Sequence, residues 1–97
     1  MKTQIQLNNL FQGEIQLINN GFKVGYMEIA VVESRITVYK TVTVLDDERK
    51  NEYYSLLLDH LVNYTRENTL KIIPLCSYIS NCFKNNPYKY KDIWLNV

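Results

Sequence analysis

The stretch Arg66-Glu67-Asn68-Thr69-Leu70-Lys71-Ile72-Ile73-Pro74-Leu75-Cys76-Ser77-Tyr78 holds the end of one helix, a strand and the start of a second helix. Arg66 closes a polar helical face, and Asn68 is suited to the left-handed conformation that stops a helix. The apolar run at residues 70–76 has strand length and strand composition. Pro74 lacks an N–H, so it fits an edge, a bulge or a place where a strand leaves its sheet. Ser77 is an N-cap residue type and opens a short helix to about Lys84, which Asn85-Asn86-Pro87 stops.

Upstream of this stretch, Tyr54, Leu57, Leu58, Leu61 and Val62 fall at i, i+3, i+4, i+7 and i+8, with Ser55, Asp59, Asn63 and Arg66 on the opposite face. That spacing predicts an amphipathic helix lying on a sheet, with Asp46 or Asp47 as its N-cap. Before it, Ile36, Val38, Val42 and Val44 alternate with Thr37, Tyr39, Thr41 and Thr43, the period of a strand over residues 35–44. A helix joining two strands of one sheet makes a right-handed crossover, so residues 70–76 are expected parallel to 35–44. Shorter alternations at residues 5–7 and 14–17 read as strands, and Asn19-Asn20-Gly21 supplies the positive φ angles of a tight hairpin. In residues 22–32 the apolar phase shifts from Phe22, Val24 and Tyr26 to Met27, Ile29 and Val31, which predicts a bulge or burial on both faces. Glu33-Ser34 turns the chain into the next strand. The class is α+β, with residues 1–97 expected to form one domain around one core.

Composition agrees with a globular chain: 46% hydrophobic residues, 22% charged, three Gly and two Pro argue against disorder. A net charge of +1 provides no field to hold a polyanion, which excludes nucleic acid as a main partner. The longest aliphatic run, Ile29-Ala30-Val31-Val32, is far shorter than the ~20 residues of a membrane helix, and residues 1–9 hold no signal-peptide core. A cytoplasmic location is the default expectation, without membrane association. Cys76 and Cys82 form no CxxC pair and His60 stands as the sole histidine, so no metal site is expected. His60 follows Asp59, but neighbours on a helix do not share a face, and His60 reads as a surface residue. Tyr53, Tyr54, Tyr64, Tyr78, Tyr88 and Tyr90 read as packing or interface residues, since no basic groove accompanies them.

With these elements in place, residues 66–78 resemble a branch of the GNAT N-acetyltransferase superfamily made of small acetyl-CoA-binding proteins. In that branch a helix ends A-R-E-N-G, a strand reads L-K-I-I-P-L-C, and a short helix ends F-x-x-x-P before an E-Y-x-D-like tail. Phe83, Pro87, Tyr90 and Asp92 keep the tail with one inserted residue. The resemblance covers residues 22–94 and implies a GNAT-like fold: a mainly antiparallel sheet, a long crossover helix to one parallel strand, and a short C-terminal helix. It further implies acetyl-CoA where the two parallel strands part. The pantetheine would lie on the strand backbone at Val42, Thr43 and Val44, and the pyrophosphate at the following helix N-terminus.

The family's phosphate loop, approximately R-G-Q-G-I-G, falls on Arg49, Lys50, Asn51, Glu52, Tyr53 and Tyr54. The arginine is kept, whereas Lys50, Glu52 and Tyr54 put side chains where glycines let backbone amides approach phosphate. Residues 46–52 hold four acids and two bases. Repulsion of about 1–4 kcal/mol per close like-charged pair works against a pyrophosphate there. Weak or absent acetyl-CoA binding is expected, with the helix beginning early and occupying the loop. Thr41 stands where the branch carries a histidine, and threonine is no general base near neutral pH.

Cys76 matches the branch's cysteine near the thioester. A helix N-terminus favours its thiolate, as acetyl acceptor or orienting group, and makes it more reactive than Cys82. The other reading is a buried small residue. Two function classes follow: a family acetyltransferase with weak or altered transfer to an unknown acceptor, or a non-enzymatic protein-interaction module that kept the fold.

Overall fold

Alternation in the first half of the chain produces a four-stranded antiparallel meander, and the change to a helical period then carries the chain over one face of it. The computed structural model describes residues 1–43 and 48–95. The strands are β1 (Lys2–Leu7), β2 (Gln12–Asn19), β3 (Phe22–Val32), β4 (Arg35–Thr43) and β5 (Lys71–Pro74), with helices α1 (Lys50–Glu67) and α2 (Ser77–Asn85). They form one sheet in the order β1-β2-β3-β4-β5, antiparallel except for the β4–β5 pair, which is parallel as the crossover rule requires. Asn20 (φ 52°) and Gly21 (φ 82°) make the β2–β3 turn with the positive angles the hairpin needs.

The phase shift in β3 is a bulge. Leu17 pairs with Gly25 and Ile18 with Lys23, leaving Val24 as the extra residue, so Val24 and Gly25 are both buried. A second bulge lies in β4, where Glu28 pairs with Lys40 and Ile29 with Val38, leaving Tyr39 unpaired and exposed. One sheet face, through Ile15, Leu17, Met27, Ile29, Ile36, Val38 and Ile72, meets Leu57 and Leu61 of α1 and Ile79 and Phe83 of α2 in the core. Among the described residues no helix is long and apolar enough to cross a membrane.

Several local expectations are corrected. Asp46 and Asp47 lie outside the described residues, and the α1 N-cap is Arg49 with no side-chain capping bond. The buried helical stripe begins at Tyr53, which is fully buried, and Tyr54 is half-buried beside it. Asn68 is not left-handed (φ −104°, ψ 8°). Its own N–H and side-chain amide both donate to the Tyr64 carbonyl, and Thr69 takes the left-handed angle (φ 54°). Ser77 is the first residue of α2, and Cys76 is its N-cap. His60 is half-buried, its Nδ1 2.8 Å from Thr3 Oγ1 on β1, where burial pushes its pKa down. An α1 side chain that faces the edge strand rather than water explains that difference.

The aromatic tail packs back as a strap beside β5. Ile72 donates its N–H to the Ile93 carbonyl (2.6 Å) and accepts from Leu95 N–H (2.9 Å), with a parallel bridge to Trp94. Phe83 lies 4.7 Å from Tyr90 and 5.8 Å from Trp94, ring centroid to centroid. Arg66 donates two bonds to the Asp92 carboxylate (3.0 and 3.2 Å) and one to the Lys89 carbonyl, while Lys71 donates to the Asp92 carbonyl. Hydrogen bonding to Arg66 lowers the Asp92 pKa, and the same bond raises that of the guanidinium.

Candidate functional site

Parallel pairing of β4 with β5 runs from Arg35 opposite Lys71 to Val38 opposite Pro74 and stops there. Beyond it the Val38 carbonyl accepts from both Leu75 and Cys76 N–H, each at 3.0 Å, which holds the end of β5 at one point while β4 continues to Thr43. Two causes act together at this level. Pro74 carries no N–H to extend the ladder, and the Tyr39 bulge twists β4 away. The strands therefore part just before Cys76.

At the parting, Thr41 Oγ1 and Cys76 Sγ lie 3.2 Å apart, within hydrogen-bonding reach. The register places Thr41 opposite Met27, on the helix-covered face, because the bulge at Tyr39 reverses the direction that plain alternation would give it. Thus the structure joins two positions, 35 residues apart in sequence, that were singled out separately. Cys76 is buried with 6% exposure, whereas Cys82 is half-buried. Accessibility by itself favours alkylation of Cys82, whereas helix position favours Cys76. Val42 and Thr43 continue β4 past the thiol and are half-buried, and Val44 lies outside the described residues.

The segment expected at the phosphates is the beginning of α1. Lys50, Asn51, Glu52, Tyr53 and Tyr54 are all helical, after the Arg49 N-cap. Tyr53 turns into the core, and its hydroxyl is buried with no hydrogen-bond partner among the described residues. Tyr54 packs on Tyr78 of α2 with centroids 4.7 Å apart, and the Lys50 ammonium lies 5.8 Å from the Tyr54 ring centroid. These rings tie the first turns of the two helices together beside the parting strands. Burial and a hydrogen bond with Cys82 push the Tyr78 phenol up, so it remains neutral at physiological pH.

Two kinds of chemistry lie side by side here. At the strand end a thiol and a hydroxyl meet beside strand backbone. At the start of α1, Glu52 lies in the first turn and the Lys50 ammonium lies over the Tyr54 ring. A groove of about 330 Å³ between α1 and β1, lined by Asp59, His60, Asn63 and Glu67 among others, lies toward the opposite edge of the sheet and includes neither Thr41 nor Cys76. No group of three or more His, Cys, Asp or Glu able to hold a metal occurs among the described residues.

Sequence reasoning did not find the Thr41–Cys76 contact or the Tyr54–Tyr78 pair. The signal for the first was present in the alternation of residues 35–44, which puts Thr41 on one face of its strand. The bulge at Tyr39 then reverses that face, and nothing local announces the bulge.

Comparison with known proteins follows the same geometry. Residues 14–93 match the sequence profile of the family described as GCN5-related N-acetyl-transferase. The fold is similar to the solution structure of a GCN5-like protein from Staphylococcus aureus, described as a candidate N-acetyltransferase. The TM-score is 0.62 at 24% identity over 97% of this chain and 89% of that one. No curated protein matches the sequence significantly.

Proposed function

Because the chain belongs to the family of GCN5-related N-acetyltransferases, we propose that the parted ends of β4 and β5 bind an acetyl thioester of the acetyl-CoA type, with Cys76 and Thr41 at its acetyl end. The observation that carries this reading is the 3.2 Å approach of Thr41 Oγ1 to Cys76 Sγ where the parallel pairing stops. A thioester arm laid along Val42 and Thr43 would bring its carbonyl to that pair. There the Cys76 thiol orients the acetyl group or accepts it, and Thr41 holds the thiol in place through their shared hydrogen bond. In acceptance the Cys76 sulfur bonds the acetyl carbon as the bond to the coenzyme sulfur breaks, and the coenzyme leaves as a thiol with the proton from Cys76. Transfer onward to an acceptor is weak or altered, since a threonine hydroxyl does not serve as a general base.

The interaction-module reading draws support from a different observation, the helical start of α1 where a phosphate loop would be needed. Titration of isotope-labelled protein with acetyl-CoA separates the two. Amide shifts concentrated at Thr41, Val42, Thr43 and Cys76 are expected from thioester binding. An unchanged spectrum at millimolar ligand removes that reading and leaves the module.

A further inference from the structure

We propose that this site recognises the pantetheine arm of its ligand and not the nucleotide, so that its substrate class is acyl thioesters of pantetheine, with or without the adenosine diphosphate portion. This rests on the thioester-binding reading above and names what the bound molecule must contain. The arm's amides require strand backbone beyond the end of pairing, and its thioester requires a narrow polar end. Both are present, in the continuation of β4 past Val38 and in the Thr41–Cys76 contact.

The nucleotide half carries two or three phosphates, and it meets the start of α1. Glu52 lies in the first helical turn, Tyr53 is withdrawn into the core, and Tyr54 is held by Tyr78 with Lys50 above its ring. Among the described residues at the start of α1, the carboxylates of Glu48 and Glu52 offset the cations of Arg49 and Lys50, so a phosphate chain gains little net attraction. Helix N-termini favour anions, but the Glu52 carboxylate already lies in that positive field and repels another anion entering it. The two helix starts are also bridged by the Tyr54–Tyr78 pair.

Calorimetry and amide-shift titration with three probes test this on the whole chain: acetyl-CoA, S-acetylpantetheine, and 3′-phosphoadenosine 5′-diphosphate. The expected result is that acetyl-CoA and S-acetylpantetheine bind within fivefold of each other, both shifting Thr41 and Cys76, while the nucleotide does not displace either. Acetyl-CoA binding fivefold or more tightly, or displacement by the nucleotide, overturns the inference and leaves the thioester reading standing. If neither thioester shifts Thr41 or Cys76, the thioester reading falls and this inference falls with it.

Discussion

From Arg35 to Val38, β4 lies between β3 and β5, and β5 is in turn bonded to the tail strap through Ile72. From Lys40 onward the register pairs β4 with β3, and β5 has already turned into α2. One end of the crossover is thus closed by backbone ladders, stacked rings and an ion pair, the other by a thiol, a hydroxyl and two tyrosines. Of the residues carrying the family resemblance, Arg66, Phe83, Tyr90 and Asp92 serve the closed end, while Cys76 lies at the open end. Most departures, Thr41, Lys50, Glu52 and Tyr54, lie at the open end, with Thr69 at the closed one. The fold signature is thus concentrated where the ladders close, and the departures where they stop.

The largest expected effect comes from breaking the closed end. Phe83 is fully buried and touches both tail rings, so Phe83→Ala should lower the free energy of unfolding by about 3–5 kcal/mol in urea denaturation. A loss below about 1 kcal/mol would show that the strap adds little to the core. At the open end, Tyr53→Phe should raise stability by about 1 kcal/mol, because it removes a buried hydroxyl that has no partner among the described residues. A destabilised variant would show that this hydroxyl is satisfied in solution.

Thr69 sharpens the comparison from within the closed end. It holds a left-handed φ of 54°, where the family pattern A-R-E-N-G has glycine. A β-branched residue there costs about 1–2 kcal/mol, partly offset by the greater unfolded-state freedom of glycine. Thr69→Gly should therefore raise stability by roughly 0.5–1 kcal/mol, or a few degrees in Tm by thermal melting. An unchanged or lowered Tm would mean that local packing holds Thr69 without strain.

The smallest effect belongs to Arg66 and Asp92, which are largely exposed. A double-mutant cycle with alanine at both positions should give a coupling of about 0.2–1 kcal/mol. Since Asp92 titrates lower in the folded chain than unfolded, this contribution is complete above the ordinary aspartate pKa of about 4 and is lost as pH falls through the lower folded value. Coupling that persists once Asp92 is protonated would mean that packing, not charge, joins the pair.

These contrasts also explain what was legible in the sequence. The period-two run at residues 35–44 and the apolar stripe of α1 reflect which side chains must leave water, so the parallel crossover followed from them. The turn at Asn20 and Gly21 was legible because few residues tolerate its angles. Caps were read less well: Cys76, not Ser77, is the N-cap of α2, because the chain bends where Val38 holds two N–H groups, a long-range contact. His60 likewise found Thr3 across 57 residues, which no local pattern encodes. The site depends most on such contacts. Thr41 could be named as a position, but its approach to Cys76 arises from a bulge and a strand end meeting at one level.

Peptide-resolved alkylation of the native protein, with and without S-acetylpantetheine, tests most directly whether the open end is where the thioester lies. In the free protein Cys82, the more exposed thiol, should react first and Cys76 slowly. Saturating ligand should slow Cys76 further and leave the rate at Cys82 unchanged. Cys76 and Cys82 slowing together, or neither slowing at a ligand concentration that produces a calorimetric signal, would contradict the account.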